Sequence, residues 1–589
     1  MLSTEPEKLY PSSKTLVKDC VASRLHAKDA TLYGFSDEAQ ECAANFMGWV
    51  DLASNPPCSL QSIKDFAADM RAKGLETVVL IGQGGSTQAS MTITKYNKTD
   101  SNDITFKTID SDSPVRIRST LAIVDPMKTL FVISSKSGGT IEPRTILAAV
   151  REWLSGFMSE DQVVKHLCAI TDPGSKLAQE AEDEGWAGLF LGEPTVGGRY
   201  SALSVFGLLP AALAGIDIDA FIAHGVEAER MCSEDAIDNP AIDLAAFLYD
   251  NYLEGRNKFS FLTQKRGRVL GLWIEQLVAE SLGKEGQGIL PNIEVDSLML
   301  AKDPGDRSVI MYKTKNELWD EIKNFEMSLS YVDPTIPRMN YRIESVEEVA
   351  EHFVMWEYAI AMCGYLMKVC PFDQPDVASA KAATLGILTD GAPEPDFCED
   401  FIGDVNMGTA EVRLGPCFKN ETTIHGALKA LLGSVKPGDY FAVNAFLPFT
   451  GEWRREALED IRHGVASKLG VVSCMEIGPR YLHSTGQLQK GGMDDGVFLI
   501  ISADEVKDIP VTGQKALSLG ALAEAEATGD FAVLSERGRR CMQLHLPDNA
   551  GITLRRLAEV FTDILEELQE ERKAEAAQQA AEAQAAEAE

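Results

Sequence analysis

Short runs that are apolar at nearly every position punctuate the chain, and they constrain its fold more than any other feature. TVVLI (77–81), TLAIV (120–124), TLFVIS (129–134) and HLCAIT (166–171) are rich in β-branched and aliphatic residues. Helical stretches such as RTILAAVREWLSGFM (144–158) lie between most of them. Strands without polar alternation are buried on both faces, and helices between them imply a parallel sheet covered on both sides. The pattern restarts from about 245 with FSFLT (259–263), a helix through WIEQLVAES, and SVIMY (308–312). It starts a third time near 400 with DYFAVNAFL (439–447), GVVSCME (470–476) and GVFLIIS (496–502), around a helix over 452–468. The expected class is α/β, with mainly parallel, doubly wound sheets carrying helices on both faces.

The chain has 589 residues, too many for one core, so two or three domains are expected. Its net charge of −34 sets it against nucleic acid as a partner. An anionic ligand would need a local concentration of donors against that background. The polar start MLSTEPEKLYPSSK argues against a signal peptide, and no apolar run approaches the roughly 20 residues of a membrane helix. The eleven cysteines show no Cys-x-x-Cys, and the closest informative pair, Cys363 and Cys370, has no partner motif. Such a set reads as thiols in a reducing cytosol, not as a disulfide frame or zinc site. The final EELQEERKAEAAQQAAEAQAAEAE lacks a sustained apolar stripe and reads as a solvated helix or disordered tail.

Three loops carry chemistry. FVISSKSGGTIEP (131–143) ends a buried strand in hydroxyls, glycines and Lys136. Gly138 and Gly139 let the backbone approach a ligand. Ser135, Ser137 and Thr140, with the N–H groups of the following helix, form an anion cradle. A helix cap alone would need one hydroxyl. VVLIGQGGSTQAS (78–90) repeats the design with Gly85 and Ser86, and lacks the Gly-Lys-Ser/Thr of a nucleotide loop. Two such loops on neighbouring strands would converge on one phosphate. In PTVGGRYSALSVFG (194–207), Gly198 sets a turn and Arg199 offers a fixed fork to anionic oxygen.

These segments, in this order, resemble the phosphoglucose isomerase family, which is built from two sugar-isomerase (SIS) domains. Three later stretches extend the likeness. GLWIEQLVAESLGKEGQGILP (271–291) resembles the segment with the catalytic Glu, here Glu280. PFDQPDVASAK (371–381) is similar to a Phe-Asp-Gln-x-x-Val…Lys motif and points to Gln374 and Lys381. LHSTGQLQKGG (482–492) is similar to a His-Ser-x-Gly-Gln segment and points to His483. The whole chain most resembles the isomerase portion found fused to transaldolase in some bacteria, without a transaldolase barrel. One departure is order: no His occurs from 225 to 351, so His483 follows Lys381, with His352 as the alternative. His352 otherwise reads as a helix-face residue.

The resemblance implies two SIS-type, doubly wound sheets plus an additional α/β segment. The expected units are 1–245, a first SIS-type domain with an N-terminal helical extension, and 246–400, a second. The segment 401–550 carries the His483 motif, and 551–589 is a C-terminal helix and tail. The implied activity interconverts glucose 6-phosphate and fructose 6-phosphate in the cytoplasm, without cofactor or metal, membrane or nucleic acid; a homodimer is compatible with it. Glu280 would move the proton between C2 and C1, His483 and Lys381 would open the ring, and Arg199 would stabilise the enediolate. Glu275 and Glu285 flank Glu280, and only the resemblance selects among them. Gly85, Ser86, Ser135, Lys136, Ser137, Thr140, Gly198 and Gln374 would bind substrate and phosphate. A non-catalytic sugar-phosphate sensor, or an isomerase for another hexose phosphate such as mannose 6-phosphate, would use the same loops.

Overall fold

The computed structural model describes residues 10–96, 104–293, 297–315, 319–400, 408–448, 452–505, 507–511, 517–548 and 551–588. Its first sheet is wholly parallel: β1 (Thr77–Ile81), β2 (Thr105–Ile109), β3 (Thr129–Ser134), β4 (Leu167–Thr171) and β5 (Gly188–Leu191), in the order 2-1-3-4-5. β1, β3 and β4 are buried at every residue, as their unbroken apolar runs require. β1 and β3 lie side by side, Thr77 opposite Thr129 and Ile81 opposite Ile133. From β1 the chain turns one way to β2 and then the other way to β3. The two loops therefore leave adjacent strand ends at the point where strand order reverses, which is where open α/β sheets bind ligands.

The second sheet is also parallel. It contains β6 (Lys258–Thr263), β7 (Leu290–Ile293), β8 (Arg307–Thr314) and β9 (Arg338–Ile343), in the order 7-6-8-9. The helix Arg268–Leu282 follows β6 and is buried at twelve of its positions, among them Glu275 and Glu280. One apolar core runs through both units and includes Tyr33, Trp49, Leu80, Phe259, Trp273, Trp356 and Phe372.

The third sheet is mixed. β10 (Phe397–Asp400), β11 (Thr409–Leu414), β12 (Tyr440–Phe446), β13 (Val472–Ile477), β14 (Gly496–Ala503) and β15 (Arg540–Leu546) lie in the order 10-11-15-14-12-13. β11 runs antiparallel to both of its neighbours, and the rest are parallel. This sheet has a separate core, closed by Leu554, Leu557, Phe561, Ile564 and Leu565 of the helix Gly551–Ala588. Beyond that packed stretch the helix is exposed at every residue from Glu571 to Glu575.

One expected strand is not one. TLAIV (120–124) straddles the end of the helix Pro114–Leu121, which Ser113 caps and Pro114 starts. Ile117, Thr120 and Leu121 are buried at helical spacing, while Ile123 is 67% exposed. The neighbour of β1 is instead TFKTI (105–109), an edge strand buried fully only at Ile109. Its polar alternation hid it from a search for unbroken apolar runs. Among the described residues no helix is long and apolar enough to cross a membrane.

The C-terminal helix is expected to be part of the third unit's stability. Phe561→Ala, at a side chain 1% exposed, should cost about 3–5 kcal/mol. Glu575→Ala, on the exposed stretch, should stay within about 0.5 kcal/mol. Urea midpoints of the two variants check this.

Candidate active site

The two glycine loops meet. The Ser134 hydroxyl donates to the Ser86 carbonyl at 2.8 Å, tying the end of β3 to the loop after β1. A Cβ on Gly85 would stand 2.3 Å from the Gly198 carbonyl carbon and oxygen, so only glycine lets the Gly84–Ser86 turn touch the Gly198–Tyr200 turn. In the hydroxyl loop, Ser135 and Ser137 each lie 3.4 Å, oxygen to oxygen, from the Thr140 hydroxyl. Thr140 precedes the helix Ile141–Ser155, whose first turn no side chain caps. Three hydroxyls and uncapped N–H groups at the positive end of a helix suit a phosphate. Gly138, at φ +63°, holds the loop against Ser175.

Lys136 takes no part in that cluster. Its ammonium pairs with Asp172 and reaches the Glu193 and Pro194 carbonyls at 3.4 and 3.2 Å. It thus ties together the loops after β3, β4 and β5, away from the phosphate position expected for it.

Arg199 is 3% exposed and fully engaged. Nε donates to Ser281 Oγ at 2.7 Å and Nη1 to Gln374 Oε1 at 2.9 Å. Nη2 donates to the carbonyls of Pro371 and Asp373 at 2.6 and 2.8 Å. The Glu280 carboxylate lies 3.5 Å from Nη1 and accepts from Gln276 Nε2 at 3.1 Å. Glu285, by contrast, is exposed beyond the helix end, and Glu275 lines a different, smaller cavity with Arg455, Arg462 and Arg480. A buried Lys284 donates to Cys370 O, Asp373 O and the Asp373 carboxylate. Burial and the nearby Arg199 hold its ammonium below the usual lysine range.

The third unit delivers His483. Its segment packs beside the end of the Arg268–Leu282 helix through Gln487, which donates to Gly283 O at 3.0 Å and accepts from Asp376 N at 2.9 Å. His483 Nε2 lies 2.7 Å from Glu142 Oε1. Burial works to raise the Glu142 carboxyl, but the imidazole opposite it and its hydrogen bonds hold it below the ordinary value. With Nε2 so held, Nδ1 is the nitrogen left to serve a substrate. Gly84, at φ +51°, is wedged between the two halves: a Cβ there would lie 2.9 Å from both Gln276 Nε2 and His483 Cβ.

Ser137, Gly139, Thr140, Glu142, Lys381 and His483 line one cavity of about 620 Å³. Lys381, exposed on the helix Pro375–Asp390, also feels the charges of Glu142 and Glu526. The cavity therefore pairs an anion cradle with a base, an acid and a cation, which suits proton transfer on a phosphorylated substrate. His352 is elsewhere: it is fully buried, 3.0 Å from the Tyr312 hydroxyl, and burial pushes it down to about 3. Sequence reasoning did not single out Glu142 or Glu526. Glu142 follows the hydroxyl loop directly, where an acid reads as a helix-dipole partner. Glu526 has no local signal.

The chain is similar to known proteins. Residues 61–296 match the phosphoglucose isomerase family. The chain is 29% identical over 389 residues to glucose-6-phosphate isomerase of Mycoplasmopsis pulmonis, covering 58% of this chain and 90% of that one. It is 27% identical over 411 residues to the Enterococcus faecalis glucose-6-phosphate isomerase, covering 62% and 90%. Its fold is similar to a solved hypothetical protein of Thermus thermophilus, with TM-score 0.54 and 25% identity, covering 64% and 95%. It is also similar to the Chlamydia trachomatis glucose-6-phosphate isomerase, with TM-score 0.51 and 17% identity, covering 64% and 84%.

Two buried acids next to the cavity set a pH dependence. Asp112 and Glu526 hydrogen-bond to each other, and Asp112 Oδ2 and Glu526 Oε2 have no other partner among the described residues. Burial pushes Asp112 up to about 7 and Glu526 well above the ordinary range. The folded state thus keeps a proton that the unfolded chain releases near roughly pH 4. Stability from this pair should fall as pH rises from there towards about 7. Asp112→Asn should therefore raise the melting temperature relative to the parent more at pH 8 than at pH 5, which calorimetry across that range would read.

Proposed function

We infer that the protein interconverts glucose 6-phosphate and fructose 6-phosphate. The observation that carries this reading is one cavity lined by the hydroxyl loop, the His483–Glu142 pair and Lys381, joined through Gly84 to the Arg199–Glu280 pair. The match to phosphoglucose isomerases and the relatives named glucose-6-phosphate isomerase support it. We further read the chain as most like the isomerase portion of transaldolase fusions, a finer likeness that rests on its whole-chain layout.

Aldose–ketose chemistry assigns the steps. Phosphate sits on the hydroxyls of Ser135, Ser137 and Thr140 and on the N–H groups beyond them. Ring opening needs a proton delivered to the ring oxygen and one taken from the anomeric hydroxyl. His483, oriented by Glu142, and Lys381 divide that work. Glu280 then takes the proton from C2 and returns it to C1. The enediolate formed between these transfers is anionic. Arg199 is already fixed by its neighbours, so it stabilises that charge without reorganising. A sensor would need the phosphate loops but not this set of proton-transfer groups.

The direct test offers glucose 6-phosphate to purified protein and follows fructose 6-phosphate with a coupled assay. Turnover is expected; binding without turnover would favour the sensor. Glu280→Gln should lower kcat by roughly 100-fold or more with KM little changed, whereas Glu285→Gln should leave both near the parent values. The double variant Ser135→Ala, Thr140→Ala removes two hydroxyl donors, each charge-assisted bond being worth about 1.5–3 kcal/mol. KM should rise strongly while the melting temperature barely moves. An unchanged KM would put the phosphate elsewhere.

A further inference from the structure

Cys42 and Cys370 are distant in sequence and adjacent in space. Cys42 is half-buried on the helix Asp37–Phe46, and Cys370 is buried just beyond the helix Glu348–Met367. Their sulfurs lie within 4.8 Å of each other. Cys370 also opens the segment that holds Arg199. Its carbonyl accepts from Lys284, and the carbonyls of Pro371 and Asp373 and the Gln374 side chain accept from Arg199. Nothing in the proposed proton-transfer chemistry uses either thiol.

We propose that Cys42 and Cys370 are a modification site, closing to a reversible disulfide through which a thiol oxidant reaches the Arg199 anchor. The oxidant is a low-molecular-weight disulfide, RSSR. One protein thiolate opens its S–S bond, forming a mixed disulfide and releasing one RS⁻. The second thiolate then attacks the mixed disulfide at the protein sulfur, forming the Cys42–Cys370 bond and releasing the other RS⁻. The two thiol protons end on two RSH, and the two electrons reduce RSSR. The proximity of the two sulfurs prepares this chemistry: the neighbouring Cys42 pulls Cys370 down towards thiolate, while Cys42 itself is pushed up. Half-exposed Cys42 gives the reagent its entry.

A disulfide holds its sulfurs about 2.05 Å apart. Closing the pair ties the Asp37–Phe46 helix covalently to the 370–374 segment. That tie acts on the carbonyls bonded to Arg199, so the oxidised protein should hold the guanidinium less well placed. A cytosolic disulfide of this kind is the labile, regulatory sort. The Asp373 carboxylate completes a group of three that could hold a soft metal ion instead. Lys284 argues against that, because its ammonium already bonds the same carboxylate and would repel a cation.

The test uses the full chain and oxidised glutathione. After non-reducing digestion, mass spectrometry should find one peptide pair joining Cys42 to Cys370, absent after dithiothreitol. Isomerase turnover should fall several-fold in parallel and recover on reduction. Cys42→Ser and Cys42→Ala should retain parent turnover and resist the oxidant. The cross-link is read by mass and stands apart from the isomerase reading; only the activity readout rests on it. Free Cys42 and Cys370 after oxidation, glutathione retained on Cys42, or one equivalent of zinc protecting both thiols from alkylation would each overturn the proposal. A complete cross-link with unchanged turnover would overturn its connection to Arg199.

Discussion

Arg199 is the contact on which the arrangement of the site depends. A guanidinium buried to 3% exposure is tolerated only when its donors are satisfied, and each partner here comes from a part of the chain that must be in place. Ser281 and Glu280 are on the helix after β6, while Pro371, Asp373 and Gln374 precede the helix that carries Lys381. Arg199 itself leaves the turn that touches Gly85. One planar fork thus fixes the first sheet's glycine loop, the proton-transfer helix and the lysine helix relative to each other. A lysine could carry the charge but not the geometry. Lys284, beside it, supports the same 370–374 backbone from another direction through Cys370 and Asp373.

His483 reaches the site by a different logic. It belongs to the third sheet's unit, and its neighbours Tyr481, Leu482 and Leu488 share an apolar cluster with Ala279 and Leu290 of the second unit. Further docking contacts are polar and buried. Gln487 bridges Gly283 and Asp376, Glu142 receives the imidazole, and buried Glu526 lies beside Asp112. Glycine makes room at the seam. A Cβ on Gly283 would lie 2.5 Å from Leu488 Cα, and one on Gly491 2.2 Å from the Asp376 carboxylate. Close backbone approach and paired polar groups add to a smaller apolar contact, in which Ala279 and Leu290 meet Leu482 and Leu488 and Leu519 joins the first sheet's core.

The sequence declares the buried parallel strands and the loops at their ends, because unbroken apolar runs and clustered glycines and hydroxyls are local signals. β1, β3, β4, β6 and β14 lie in runs read as strands, and the hydroxyl loop lies where its strand predicts. What failed was equally local in cause. TLAIV has strand composition, but Pro114 and the Ser113 cap commit it to a helix, and the partly exposed edge strand β2 carries no unbroken run. Choosing Glu280 over Glu275 or Glu285 required the family resemblance, since their spacing alone does not select among them. The pairing of Glu142 with His483, Glu526 with Asp112 and Cys42 with Cys370 is long-range, and no spacing rule reports it.

The charge of the chain looked unfavourable for an anionic substrate, and the site accounts for the contradiction. Net charge acts through solvent over a Debye length of roughly 8–10 Å, whereas a phosphate in a cleft responds to the donors it touches. Those donors here are hydroxyls and backbone N–H groups at a helix start, which bring no net charge and need no counter-ion. The buried Arg199 and Lys284 are committed to the protein's own oxygens, while Lys381, Lys176 and Arg144 line the cavity itself. The acids lining the cavity are similarly restrained: Glu142 faces an imidazole, and burial drives Glu526 towards its neutral form. Neutralising its carboxylates locally is what lets so acidic a chain present a phosphate site, and it makes that site's electrostatics sensitive to the protonation of Asp112 and Glu526.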